Sequence, residues 1–156
     1  MPKRSAGIVA YRFNHPVLEV LLVHPGGPFY AKKDLGAWSI PKGEYSDSEN
    51  PMDVAKQEFH EETGNVISNG ELIALSPVRL KSGKEISAWA VAADFDQCFI
   101  KSNEFEMEWP PGSGKKQFFP EVDRAEWFKL NEAKEKLNQA QVPLLDELAT
   151  ILAADK

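Results

Sequence analysis

Cysteine is nearly absent from this sequence. Cys98 stands alone among 156 residues, so no internal disulfide and no cysteine-based zinc site can form. Within Phe95-Asp96-Gln97-Cys98-Phe99-Ile100 it reads as a small buried hydrophobe. Long apolar runs are missing too, and none approaches the roughly 18 residues of a membrane span. The opening Met1-Pro2-Lys3-Arg4-Ser5 carries two cations but not the apolar stretch of a signal peptide. Positive charge is the scarcer sign, with 18 Lys and Arg against 24 Asp and Glu and a net charge of -6. General nucleic-acid binders draw their affinity from Lys and Arg on phosphates, so that class is disfavoured. A small phosphorylated ligand stays open, because a metal can supply positive charge. These absences predict a soluble, cytoplasmic protein with no nucleic-acid and no membrane partner. A monomer or homodimer is expected.

The apolar fraction of 42% and charged fraction of 27% are values of a folded domain, and the length suffices for one real core. Ala6 to Tyr11 and Leu18 to Val23 are aliphatic runs around Asn14-His15-Pro16, which predicts two strands and a turn. Residues 51–62 give the clearest helix. Asn50 suits its cap, Pro51 its first position and Asp53 the positive end of its dipole, while Met52, Ala55 and Phe59 form an apolar stripe. Gly64 is placed to end it. Glu71 to Leu80 and Glu85 to Phe95 read as two strands joined at Ser82-Gly83-Lys84. Residues 102–120, with Pro110-Pro111-Gly112-Ser113-Gly114, read as a long loop. Trp127-Phe128 marks a last strand, Asn131 a cap for a helix over roughly 132–139, and Pro143 the start of another through Leu152. No internal repeat or boundary is visible, which predicts one mixed α/β domain over residues 1–156.

Seven acidic residues crowd the span from Glu44 to Glu62, against the single Lys56. On the predicted helix, Glu58, Glu61 and Glu62 fall at i, i+3 and i+4 and share a face. Two carboxylates about 5 Å apart repel by roughly 3 kcal/mol at an effective dielectric near 20. The helix C-terminus disfavours them further. A hard divalent cation reverses both effects, and Mg²⁺ is commonly shared between carboxylates and substrate phosphates. A solvated acidic face is the competing reading of the glutamates alone.

The surrounding segment decides between them. Gly43, five residues, Glu49, seven residues, then Gln57-Glu58-Phe59-His60-Glu61-Glu62-Thr63-Gly64-Asn65 resembles the Nudix box, G-x5-E-x7-R-E-U-x-E-E-x-G-U with U a bulky aliphatic residue. Both glycines and all four glutamates stand at the family's spacing. Trp38-Ser39-Ile40-Pro41-Lys42-Gly43 also resembles the approach to the box in diadenosine tetraphosphate hydrolase-like members. Two positions depart from the pattern. Gln57 replaces an arginine that in the family pairs with a box glutamate, keeping a hydrogen bond without the charge. Asn65 takes the last aliphatic place.

The resemblance implies an α/β/α sandwich with a mixed sheet and Mg²⁺- or Mn²⁺-dependent hydrolysis of a nucleoside diphosphate linked to another moiety. It further implies Glu58, Glu61 and Glu62 as metal ligands with the Gly43 carbonyl, and Glu49 and Gln57 as orienting residues. Glu58 and Glu61 are also its catalytic carboxylates, joined by an acidic residue ahead of the last strand. Glu121 is preferred there over Glu104, Glu106, Glu108 and Asp123. Lys42, beside the metal-binding glycine, is placed to meet a phosphate. Lys33 and Tyr30 are further substrate-binding candidates, and Arg12, Lys32 and Arg79 weaker ones. Phe29 and Trp109 are open to stacking on a base, while Trp38 and Trp89 read as structural. Gly112-Ser113-Gly114-Lys115 lacks the remainder of a phosphate loop. The three histidines show no metal-ligand spacing. Substrate is thereby narrowed to a nucleotide, with dinucleoside polyphosphates or nucleoside triphosphates foremost. A nucleotide-binding regulatory module of the same fold is the main alternative, and an unrelated acidic metal-binding protein the weaker one.

Overall fold

The computed structural model describes residues 3–14, 16–67, 71–94 and 103–154. The expectations for His15 and Cys98 lie outside them. Strands β1 (Arg4–Asn14), β2 (Val17–Pro25) and β3 (Lys42–Glu44) lead into helix α1 (Pro51–Thr63). Then follow β4 (Ile73–Ala74), β5 (Val78–Arg79), β6 (Glu85–Ala92), β7 (Glu104–Glu108), β8 (Lys116–Pro120) and β9 (Val122–Lys129). Helix α2 (Leu130–Lys136), a 3-10 turn (Gln139–Gln141) and helix α3 (Val142–Ala154) close the described chain.

The main sheet runs β4-β6-β1-β2-β9, with β3 also on β1 and β5 also on β6. β1 and β6 are parallel and the other pairings antiparallel, so the sheet is mixed. β1 is long enough to serve three neighbours: Ser5 to Gly7 face β3, Tyr11 to Asn14 face β2, and β6 runs along most of its length. Its unbroken apolar run is what burial on both faces requires. Ala6, Ile8 and Ala10 pack with Ala55 and Phe59 of α1, whereas Val9 and Tyr11 pack with Leu144, Leu145 and Leu148 of α3. The period of two thus sends alternate residues into two helix-covered cores. The α/β/α sandwich follows.

Helix α1 forms for the reasons its sequence offers. Asn50 accepts from the Met52 and Asp53 N–H groups at 2.9 and 3.2 Å, and Gly64 ends the helix at φ 77°. Its buried stripe is Val54, Ala55 and Phe59, with Met52 only partly covered.

Three expectations need correction. The strand expected over Glu71 to Leu80 pairs with β6 in two short pieces, because Pro77 lacks a donor and the Ser76 N–H is taken by the Glu147 carboxylate of α3 at 2.7 Å. The segment 102–120 is not a loop but contains the β7–β8 hairpin. Glu104-Phe105-Glu106-Met107-Glu108 alternates with a period of two, and the Pro/Gly run is only its turn. Helix α2 begins at Leu130, without a side-chain cap, so Asn131 lies inside it. Asn138 caps the following 3-10 turn instead, accepting from Ala140 at 3.0 Å.

Candidate active site

The site is assembled where α1 crosses the end of β3. Helical spacing puts Glu58, Glu61 and Glu62 on one side of α1, and the adjoining stripe of Ala55 and Phe59 anchors the helix in the core. Glu62 is buried, its carboxylate accepting the Lys42 N–H at 3.2 Å. Glu58 lies against Gly43 so closely that a Cβ there would fall 2.3 Å from its carboxyl carbon. Any side chain at position 43 would displace Glu58, so glycine is required for close approach.

Glu121 reaches the same place from the β8–β9 junction. Its charge raises the proton affinity of Glu58 and Glu62, and the charge of Glu61 does the same to Glu121. Burial is the larger cause for each. Burial, then Glu61 and Glu121, push Glu58 up to about 7. Burial and Glu58 hold Glu62 well above the carboxylate range, against the pull of Lys42. Burial pushes the Lys42 ammonium down, assisted by the Lys84 charge and opposed by Glu62, Glu44 and Glu58. Crowded carboxyls with raised proton affinity are a usual mark of a functional cleft.

Two cavities meet here. One, of about 200 Å³, is lined by Lys42, Glu62 and Glu121 with Pro25, Ser39 and Ile40 among its apolar and backbone walls. The other, of about 220 Å³, shares Pro25, Ser39 and Lys42 and extends to Tyr30, Asn138 and Gln141. Lys42 stands at their junction. Gln141 is buried and holds the wall together, accepting the Ile40 N–H and donating to Ser39 Oγ, each at 3.1 Å. Nothing in its local sequence marks it, since its partners lie about a hundred residues away.

The remaining candidates separate. Gln57 Nε2 donates to Glu61 Oε1 at 3.1 Å, a neutral counterpart of the arginine bond the resemblance leads one to expect. Glu49 accepts from the Ser46 N–H and hydroxyl at 2.9 and 3.1 Å, bracing the turn ahead of α1. Tyr30 lines the second cavity, with the Lys33 ammonium 5.5 Å from its ring centre, while Lys33 lines neither cavity. Arg12 is engaged by Glu19 and Asp94 and stacks on Trp127. Arg79 pairs with Glu85 at 3.6 Å. Phe29 and Trp109 meet edge to face at 5.3 Å. Trp38 is buried and gives its N–H to Asp34 at 2.8 Å. His24, without apparent role in the sequence, is fully buried and bonded to Asp123 and to the Lys33 carbonyl.

Among the described residues, no three acidic, histidine or cysteine side chains form a finished metal cage. The donors still fit a hard cation: they are all oxygen, the three glutamates lie on one helix face, Glu58 is pressed against Gly43, and buried Glu62 meets the Lys42 backbone. Mg²⁺ takes few protein ligands and retains waters, so an open half-shell of this kind suits it.

The NUDIX domain family model matches residues 1–148, and the chain belongs to that family. With its four box glutamates in place it is a Nudix pyrophosphohydrolase. Similar solved structures include a Caenorhabditis elegans Ap4A hydrolase binary complex, 20% identical with TM-score 0.67, covering 96% of this chain and 98% of that one. The NUDIX domain of Shewanella oneidensis NrtR, solved with ADP ribose, is 16% identical with TM-score 0.68, covering 97% and 89%. The Escherichia coli ORF135 protein is 21% identical with TM-score 0.59, covering 98% and 94%. Likeness at this level of identity is likeness of fold.

Proposed function

We propose that this protein hydrolyses a phosphoanhydride bond in a nucleoside diphosphate linked to another group, with Mg²⁺ or Mn²⁺ as cofactor. The substrate is a dinucleoside polyphosphate of the diadenosine tetraphosphate type or a nucleoside triphosphate. The observation that carries this reading is the meeting of Glu62, Glu121 and Lys42 on one cavity wall, with Glu58 and Glu61 electrostatically coupled to them. Glu58, Glu61, Glu62 and the Gly43 carbonyl would hold the cation. Bound there, it would lower the pKa of a water and offset charge building on phosphate oxygens.

The chain's own groups do the rest. Glu121, raised in proton affinity and solvent-exposed, is suited to take a proton from the attacking water, with Glu58 and Glu61 the other carboxylates in reach. Lys42, at the junction of the cavities, is suited to a phosphate oxygen. Tyr30, Asn138 and Gln141 offer ring, amide and carbonyl groups to the moiety beyond it. The C. elegans relative's Ap4A hydrolase activity supports the dinucleoside lean.

A nucleotide-binding module with little turnover is the second reading, favoured by the neutral Gln57–Glu61 bond. The two separate in one assay. Product release is followed over diadenosine polyphosphates, nucleoside triphosphates, ADP-ribose and nucleotide sugars with each metal, beside Glu61→Gln. Turnover of one substrate that disappears in the variant is the expected result. Binding without turnover across the panel would establish the module instead.

A further inference from the structure

We propose that His24 is a positioning residue, locking the loop that carries Tyr30 and Lys33 onto the strand that follows Glu121. The proposal rests on the reading of Tyr30 and Glu121 as substrate-side groups. His24 is fully buried at the end of β2, with Nδ1 2.8 Å from the Asp123 carboxylate and Nε2 2.7 Å from the Lys33 carbonyl. The Lys33 carbonyl can only accept, so Nε2 donates to it, while Nδ1 meets the Asp123 carboxylate. One side chain therefore joins two elements that no strand ladder connects.

The backbone is shaped for this contact. The β2–β9 register pairs His24 with Arg124 and Pro25 with Val122, leaving Asp123 as the extra residue of a bulge. In a regular ladder Asp123 would face away from His24, and the bulge re-aims it. Arg124 Nε lies 3.5 Å from the same Asp123 oxygen, and its guanidinium sits 5.1 Å over Trp38. Trp38 in turn meets the His24 ring at 5.1 Å and gives its N–H to Asp34 in the loop. Asp123, Arg124, Trp38 and the Lys33 carbonyl thus surround the imidazole.

A separate contact holds Glu121 itself. The Gly26 N–H donates to the Glu121 carbonyl at 2.9 Å, and a Cβ on Gly26 would fall 1.9 Å from the Pro120 carbonyl oxygen. Losing His24 should therefore free the loop and Tyr30 while Glu121 stays in place. Substrate affinity should suffer more than the chemical step.

The test uses His24→Gln and Asp123→Asn, the second at a partly exposed position that is better tolerated if the buried variant fails to fold. Trypsin under native conditions reads loop release at Lys32 and Lys33, and steady-state kinetics separates KM from kcat. The expected result is cleavage at these lysines and KM both rising about tenfold, as loss of a charge-assisted hydrogen bond predicts, with kcat changing much less. Wild-type cleavage rates in the folded variants, an unchanged KM, or a fall in kcat alone would overturn the proposal. If the wild type hydrolyses no nucleotide, the reading of function fails, and cleavage rates with nucleotide dissociation constants still decide the loop's role.

Discussion

Gln57 is one residue on which the rate should turn. Its amide reaches Glu61 at 3.1 Å, so the geometry of an orienting bond is kept while the charge is lost. Charge-assisted bonds are roughly twice as strong as neutral ones, and a guanidinium can grip a carboxylate with two parallel donors. Gln57→Arg is therefore expected to raise kcat about three- to tenfold, a modest factor because both groups are open to solvent. Steady-state kinetics on the hydrolysed substrate checks it, and a slower variant would mean that Glu61 is oriented by something else. The three α1 glutamates were legible because helical spacing alone gathers them. Gly43 was legible only through the family spacing, and its physical reason, the carboxyl of Glu58 pressed against it, needed the fold. Gln141 and the His24–Asp123 pair were not legible at all. Their partners are distant in sequence, and no local pattern announces a bulge.

Helix α1 is the element on which the site depends, and it was also the easiest to read. Cap, first-turn proline, apolar stripe and terminal glycine agree with one another, and such agreement makes local sequence decisive. Asn50→Ala removes the one side-chain oxygen that accepts from two N–H groups and should cost about 1 kcal/mol, lowering Tm by about 2–4 °C in a protein of this size. Thermal unfolding measures it. A shift above roughly 4 kcal/mol would mean that Asn50 holds more than the helix start, since so large a loss is exceptional for one residue. The β7–β8 hairpin was harder to read, because its turn is longer than a two-residue connection and its prolines and glycines dominated the segment. The period-two alternation in Glu104 to Glu108 is the local signal of the strand. The β4 and β5 pieces failed for another reason: Ser76 spends its N–H on Glu147 of α3, a tertiary contact that overrides the local strand pattern.

For the whole molecule, the carboxyls gathered from α1 and Glu121 should make stability depend on pH and, if a cation binds them, on metal. Burial and neighbouring carboxylates push Glu58 up to about 7 and hold Glu62 well above its ordinary value. In the unfolded chain a glutamate titrates near about 4.3. A carboxyl raised on folding stabilises the folded state below the unfolded value, and that contribution is lost as pH rises through the folded one. Chelator-treated protein should therefore melt higher near pH 5 than near pH 8. A divalent cation that binds the ionised, folded cluster but not the unfolded chain adds about 2.7 kcal/mol at a hundred times its Kd. Protons compete for the same oxygens, so the gain in Tm from Mg²⁺ should be small at pH 5 and large at pH 8. Calorimetry at both pH values, with chelator and with Mg²⁺, measures all four states. Equal gains at the two pH values would point to a cation bound elsewhere, and no gain at either would remove Glu58 and Glu62 as metal ligands.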